Sequence, residues 1–324
     1  MVKTKQMKPD ISIVIEWENY ILADMGRSFH MLEQLKEQIE TINKAVEVIV
    51  SFNPEQIEGS ELENELLKIL KYNEGNASFA LRVEEAYGKH YYDLKNEGAK
   101  LARGEIVVFL DSDVIPEDGW LINLVGPLFD NNEIKVLAGN TYLDSQSLKS
   151  KAFALAWFFN LRADENNIGI RNQGFQANNV AFRKEIITTY PFPEMPEGVT
   201  RKSCVMLAKQ LEREGIPIWT NTAAQVSHPA PNGFYHFFIR ALAQGRDTLL
   251  CDHNNKFLVF LKDFYMTKII SSCVKITING KKVNLPFWQV PVAIGIMTTY
   301  YTAALTGAVI TFTMPRYAKS SWRI

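Results

Sequence analysis

Short runs of β-branched and apolar residues recur in the first third of the chain, and each stops at a polar cluster. Ile11-Ser12-Ile13-Val14-Ile15 ends at Glu16-Trp17-Glu18-Asn19. Glu47-Val48-Ile49-Val50-Ser51 ends at Phe52-Asn53-Pro54. Ile106-Val107-Val108-Phe109-Leu110 ends at Asp111-Ser112-Asp113. Runs of this length and composition predict strands rather than helix turns. Between the first two, Phe29, Leu32, Leu35 and Ile39 recur at helical spacing within a segment from about Met25 to Asn43. Further helices are expected around Glu61 to Lys71 and from Leu94 to Arg103; the polar, aromatic stretch leading to Tyr92 is assigned no element.

Alternating strands and helices predict an α/β fold, a mostly parallel, Rossmann-like central sheet flanked by helices with right-handed crossovers. Continuously apolar strands suit a sheet covered on both faces. In such sheets ligands bind beyond the carboxyl ends of the strands. If the three strands are neighbours, their polar ends line one crevice, and a charged crevice fits a nucleotide and its phosphates. Asp111 and Asp113 repel one another unless a cation or hydrogen-bond donors compensate. A hard divalent cation with oxygen ligands does so and also bridges to phosphates. A solvated turn is the other reading of the same pair.

The second half is less regular. Val136 to Gly139 predicts a strand, Ala152 to Leu161 an apolar helix, and Phe175 to Arg183 a turn entering a strand. Val205 to Glu214 predicts a helix, and Ile216 to Trp219 a short strand leading to Val226-Ser227-His228-Pro229. Phe257 to Leu261 and Phe264-Tyr265 suit a membrane surface, with Lys256, Lys262 and Lys268 extending to the headgroups. From Leu285 to Met314 no residue is charged, a length sufficient to cross a bilayer. Pro286, Pro291, Gly295, Gly307 and many threonines dilute it. A single tilted span and a pair of short interfacial helices both stay open. Basic residues flank the stretch on both sides and so do not orient it.

Charge and cysteine usage narrow the classes. The net charge is -1, which argues against binding nucleic acid through a global positive field. Cys204, Cys251 and Cys273 have no metal-ligand spacing and suggest no disulfide framework, so a reducing compartment is expected. The polar start MVKTKQMKPD predicts no secretory signal.

Lys95-Asn96-Glu97-Gly98-Ala99, then Ala102-Arg103-Gly104-Glu105, then Phe109-Leu110-Asp111-Ser112-Asp113 resembles the family 2 glycosyltransferases of GT-A fold. Gln176-Ala177-Asn178-Asn179-Val180-Ala181-Phe182-Arg183 resembles that family's acceptor-side segment. The helix ending Leu211-Glu212-Arg213-Glu214-Gly215, followed by a strand and His228, resembles its closing elements. The resemblance covers roughly residues 10 to 235.

It implies metal-dependent, inverting, non-processive transfer of a sugar from a nucleotide-sugar donor, with a UDP-sugar as the expected donor. Mn²⁺ or Mg²⁺ would sit on Asp111 and Asp113, with His228 as a further ligand. Glu18, Asn19, Asn53, Lys95, Asn96, Asp111, Ser112 and Arg246 would contact the donor; Asn178 and Asn179 would contact the acceptor. The processive synthases' Q-x-x-R-W motif is absent, which favours single-sugar transfer.

Three departures stand out. The first strand ends in Glu16-Trp17-Glu18-Asn19, where only the Asn keeps the usual pattern. Ser51-Phe52-Asn53-Pro54 replaces the acidic nucleobase motif. Ser203-Cys204 replaces the Glu-Asp pair that carries the catalytic base. An attacking hydroxyl still has to lose its proton; of the nearby carboxylates Glu194 and Glu197, Glu197 is preferred for that task, with Asp164 and Glu165 as further candidates, and Asp113 is the other residue assigned to catalysis. A degenerate transferase that binds a glycan or protein at a membrane is the alternative reading.

The expected organisation is a GT-A nucleotide-sugar domain over 1–235, amphipathic interfacial helices over 236–285 and a hydrophobic membrane-associated segment over 286–324. Membrane attachment, with the catalytic domain facing the cytoplasm, would suit a lipid-linked or membrane-proximal glycan acceptor.

Overall fold

The computed structural model describes residues 8–19, 25–70, 78–170, 174–252, 258, 261 and 264–322. The expected surface residues Lys256, Phe257, Val259, Phe260 and Lys262 lie outside the described residues, as does Arg323. The chain divides into two compact units. One comprises Met1–Asn140, Ala163–Pro193 and Cys204–Val226; the other comprises Thr141–Arg162, Glu194–Ser203 and Ser227–Ile324.

The first unit is built on a mixed sheet. Its strands are β1 (Ile11–Glu16), β2 (Val46–Phe52), β3 (Phe79–Glu85), β4 (Ile106–Asp111), β5 (Ile115–Pro116), β6 (Val136–Leu143), β7 (Ile168–Ile170), β8 (Asn179–Arg183) and β9 (Ile218–His228). Their order is β3-β2-β1-β4-β8-β6-β9-β5, with β7 paired to β9. β3, β2, β1 and β4 run parallel. β8 is antiparallel to both β4 and β6, so the parallel character ends at β4.

The parallel half is covered by α1 (Met25–Thr41), α2 (Gly59–Ile69) and α3 (Tyr91–Leu101). β1, β2 and β4 are buried at every position, as their unbroken apolar runs require. The other helices of this unit are α4 (Trp120–Asp130), α6 (Lys184–Thr189) and α7 (Ser203–Arg213), with α5 (Leu148–Ala156) belonging to the second unit.

Among the departures from the sequence-based expectation, three have a local physical reason. β3 occupies part of the stretch assigned no element. Phe79, Leu81 and Val83 alternate there with Ala80, Arg82 and Glu84, and most of its residues are only half-buried. That is the pattern of an edge strand, whose charged side chains mask its periodicity. α5 starts four residues earlier than predicted, because Ser147 and Ser150 form a reciprocal capping box. The short strand expected at Ile216 to Trp219 is the start of one eleven-residue strand reaching His228.

The second unit is helical. α5 and α8 (Gly233–Asp252) pack with the π-helical turn Tyr265–Ile270, the helix Ser271–Asn279 and the long helix Val290–Thr313. A 3₁₀ turn, Phe287–Gln289, leads into the long helix, and Pro291 falls in its first turn, where a missing N–H costs nothing. Phe153, Phe237 and Tyr300 meet edge to face at centroid distances of 5.0–5.8 Å. Gln244 Oε1 accepts from both Trp157 Nε1 at 3.0 Å and Tyr300 Oη at 2.8 Å, so the polar tips inside this core are used. Gly307 lies directly against the backbone of Leu242, a contact that leaves no room for a β-carbon.

Candidate active site

β1, β2 and β4 are adjacent, so the three polar strand ends do lie side by side. Register then fixes the chemistry. Glu16 pairs with Ser51 on one side and with Asp111 on the other. Two buried carboxylates on neighbouring strands at the same level repel each other strongly.

The sequence supplies donors to hold them. Lys95 projects from α3 and its Nζ donates to Asp111 Oδ1 at 2.6 Å, with both side chains buried. One turn earlier on α3, Tyr91 Oη donates to Asp111 Oδ2 at 2.7 Å. Asn19 Nδ2 lies 2.9 Å from Glu16 Oε1 and 3.2 Å from Asp111 Oδ2, bridging the pair. The backbone N–H groups of Glu18 and Asn19 also donate to Glu16. Burial, and after it the charge of Asp111, push the Glu16 carboxyl well above the usual carboxylate range, while Lys95 pulls the other way.

Asp113 is different. It is buried, yet its Oδ1 has no hydrogen-bond partner; the same holds for the neighbouring Ser112 hydroxyl and for Ser51 at the end of β2. Its backbone is fixed, since Arg27 Nε donates to the Asp113 carbonyl at 2.6 Å. An unpartnered buried carboxylate oxygen beside Glu16 and Asp111 calls for a cation. Among the described residues, no three His, Cys, Asp or Glu side chains converge into a metal cage. Mg²⁺-type sites dispense with one, using one or two carboxylates together with substrate phosphates. The residues present therefore fit a divalent ion held by Asp113.

Several assigned residues have other tasks. Asp111 is occupied by Lys95, Tyr91 and Asn19, and serves as an internal anchor rather than an open ligand. Lys95, expected at the donor, points its Nζ at Asp111. Asn96 exchanges two hydrogen bonds with the backbone of Phe192, at 2.8 and 3.0 Å, clamping α3 to the loop after α6. Glu18 accepts from the Tyr91 N–H at 2.7 Å, at the N-terminus of α3, and pairs with His90. Asn53 Oδ1 accepts from the Glu55 N–H at 3.1 Å in an Asx turn.

Asn179 is wholly buried; its Oδ1 accepts from Trp120 Nε1 and its Nδ2 donates to the Ala224 carbonyl. Both ends of the amide are used inside the fold, where Asn179 ties β8 to α4 and to β9. Asn178 is buried as well. At the position of the missing acidic pair, Cys204 Sγ accepts from Tyr92 Oη at 3.1 Å.

The remaining assigned residues belong to the second unit. Arg246 is fully buried; it pairs with Asp247 at 2.8 Å and donates to the carbonyls of Ala318 and Ser321, bracing the C-terminal turn rather than a phosphate. Glu197 is an exposed carboxylate paired with Lys319 at 3.4 Å, without the burial that tunes a general base. His228 Nδ1 lies 2.7 Å from the Pro229 carbonyl, and its ring lies against Phe159. A carbonyl partner requires a proton on Nδ1.

Sequence reasoning did not assign Glu16, Tyr91 or Arg27. A signal for Glu16 was present: β1 and β4 are both six residues long and both end in an acid. Tyr91 stands four residues before Lys95, on the same helix face.

Residues 32–190 match the profile of Glycosyl transferase family 2. No curated protein matches the chain. Among solved structures, the mannosyltransferase PcManGT from Pyrobaculum calidifontis, in complex with GDP-Man and Mn²⁺, superposes with a TM-score of 0.53 at 15% identity. The alignment covers 96% of this chain and 89% of that one. TarS 1-349 of S. aureus in complex with UDP superposes with a TM-score of 0.49 at 12% identity, over 95% of this chain and 91% of that one. The likeness to the mannosyltransferase shows a shared fold.

Proposed function

From the chain's membership of glycosyl transferase family 2, carried by residues 32–190, we propose that it transfers a glycosyl group from a nucleoside-diphosphate sugar to an acceptor hydroxyl. The observation that carries this reading is the unpartnered Oδ1 of Asp113 at the carboxyl end of β4. Ligands of open α/β sheets bind at that edge.

In the reaction, the acceptor oxygen bonds to the anomeric carbon as the bond to the diphosphate breaks. The leaving diphosphate takes the electron pair, and the proton of the acceptor hydroxyl is released to solvent water. A divalent cation bound at Asp113 would neutralise the charge that grows there. The chain's own contribution is positioning. Lys95 and Tyr91 fix Asp111, and through it the end of β4. Arg27 fixes the Asp113 backbone. Together they aim the Asp113 carboxylate without consuming it, which is preorganisation of a charged group in a poorly hydrated site.

The test is titration of GDP, UDP, GDP-mannose and the common UDP-sugars into the full chain, with Mn²⁺ and with EDTA. The mannosyltransferase of similar fold was solved with GDP-Man and Mn²⁺, which makes that pair the first to try. The expected result is binding of one nucleotide in Mn²⁺, lost in EDTA and lost in Asp113→Ala. Binding indifferent to both changes would instead support the non-catalytic reading, in which a transferase fold serves only to bind.

A further inference from the structure

The second unit exposes two aromatic pairs, each of neighbouring residues. Phe234 and Tyr235 begin α8 at 81% and 73% exposure; Phe287 and Trp288 precede the long helix at 86% and 73%. Two lysines of the first turn of α5 tie the segments leading into both pairs to one helix end. Lys149 Nζ donates to the Pro231 carbonyl at 2.8 Å, three residues before Phe234, and Lys151 Nζ donates to the Asn284 carbonyl at 2.8 Å, three residues before Phe287. Ile278 and Val274 are exposed one turn apart on the helix just before Lys281 and Lys282. The Phe234 ring packs on Phe238 at 4.6 Å. Phe238, Leu242, Ala303 and the threonines of the long helix line a groove of about 410 Å³. Thr302 and Thr306 donate their hydroxyl protons to their own helix, so the groove presents methyl groups.

Charge complements this apolar surface. From Phe264 to the last residue the only charges are Lys268, Lys275, Lys281, Lys282, Arg316, Lys319 and Arg323, with no Asp or Glu. The start of α8 lies in a positive field as well. His236 is held down to about 4 by burial first, and then by Arg240, Arg201, His228 and Lys149. Exposed aromatic pairs with the exposed Lys281 and Lys282 close by in the chain mark a docking surface, and the sign of the charge selects an anionic partner.

The long helix does not read as a bilayer span, although Phe287–Thr313 reaches a mean hydropathy of 1.4. Ala293, Met297, Tyr300, Tyr301, Ala304 and Ala308 are buried in the unit's own core. The outward middle of the helix shows Gly295, Thr298, Thr299, Thr302 and Thr306. Its large exposed apolar residues sit near the ends, Val292 at one and Val309, Phe312 and Met314 at the other. A lipid-embedded helix needs apolar cover at mid-depth.

We propose that this end of the second unit docks on one face of an anionic lipid bilayer. Phe234, Tyr235, Phe287 and Trp288 enter the headgroup–acyl boundary, and Lys281 and Lys282 meet the lipid phosphates. The inference is independent of the donor chemistry and stands or falls without it.

Sedimentation of the full chain with vesicles tests it, comparing pure phosphatidylcholine with phosphatidylcholine containing phosphatidylglycerol. The chain should bind the anionic vesicles. Phe287→Ser/Trp288→Ser, Phe234→Ser/Tyr235→Ser and Lys281→Glu/Lys282→Glu should each weaken that binding by about tenfold or more. All six side chains are solvent-facing, so melting temperature and nucleotide binding should not move. The proposal is overturned if the wild type ignores both vesicles, or if all three variants bind like wild type. Resistance of membrane-bound chain to alkaline extraction would also overturn it, in favour of a spanning helix. Capture of a protein partner, lost in the same variants while vesicles are ignored, would reassign the surface.

Discussion

Lys95 Nζ and Asp111 Oδ1 stand 2.6 Å apart with both side chains out of solvent, joining α3 to the carboxyl end of β4. The pair matters because Asp111 is not alone: Glu16 occupies the neighbouring position on β1. Removing the cation leaves two buried acids facing each other. Lys95→Met should therefore cost about 3–5 kcal/mol of stability at neutral pH, the cost of stranding a buried charge. Adding Asp111→Asn to Lys95→Met should recover a large part of it, because the stranded charge is gone. Urea denaturation of wild type, both single variants and the double variant measures the coupling. A Lys95→Met protein that unfolds at the wild-type urea concentration would show that the pair is not integral to the fold.

Asp113 should behave in the opposite way. Its Oδ1 has no partner, and the nearby acids repel it. Asp113→Asn removes charge from a crowded site while keeping its shape. Stability at pH 7 should be unchanged or higher by up to about 1 kcal/mol, whereas metal-dependent nucleotide binding should be lost. Thermal melts with and without Mn²⁺ separate the two effects: the metal should raise the melting temperature of wild type and leave the variant where it was. A variant that melts far below wild type without metal would make Asp113 a structural residue.

What was legible in the sequence follows from which interactions are local. β1, β2 and β4 could be read because each buries both faces and announces itself as an apolar run. The site's edge could be read because those runs end in acids. The roles of individual residues could not, because they depend on which helix face meets which strand end. Lys95 and Asn96 are adjacent in sequence, yet one reaches into the acidic cluster and the other clamps the backbone of Phe192. Asn179 looked available beside Asn178, but its amide is consumed by Trp120 and Ala224, 59 and 45 residues away. β3 was missed because an edge strand shows charge on its open side. Arg246 suited a phosphate by type, and only the placement of Asp247 and the chain's last turn shows what it holds.

His236 gives the second unit a defined pH response. Burial, followed by the charges of Arg240, Arg201, His228 and Lys149, lowers its pKa from the ordinary 6.5 to about 4. Its folded-state value is depressed, so between about 6.5 and 4 the unfolded chain takes up a proton that the folded chain refuses. Stability contributed by neutral His236 is present above that window and is lost as pH falls through it. The loss should be about 2–3 kcal/mol, one pKa unit being worth roughly 1.4 kcal/mol. His236→Asn keeps an acceptor near the Asn232 N–H, which donates to His236 Nδ1 in the wild type. The variant should lose less stability than wild type between pH 6.5 and 4.5 in denaturant titrations. Parallel losses in the two proteins would assign the effect to other groups.

Two glycines of the long helix separate packing from propensity. A β-carbon on Gly307 would run into the backbone of Leu242, which cannot rotate aside, so α8 and the long helix would have to move apart. Gly307→Ala should destabilise the chain by roughly 1–3 kcal/mol, the usual cost of overpacking. Gly295 lies on the outward face of the same helix, where a β-carbon meets nothing within 4 Å. Gly295→Ala should stabilise by about 0.5–1 kcal/mol through helix propensity alone. The opposite signs are the diagnostic result, because both substitutions add the same methyl group to one helix. If both raise the melting temperature, the helix is not seated against α8. Its inward face would then be available to lipid or to a partner, and the one-sided docking argued from that packing would fail with it.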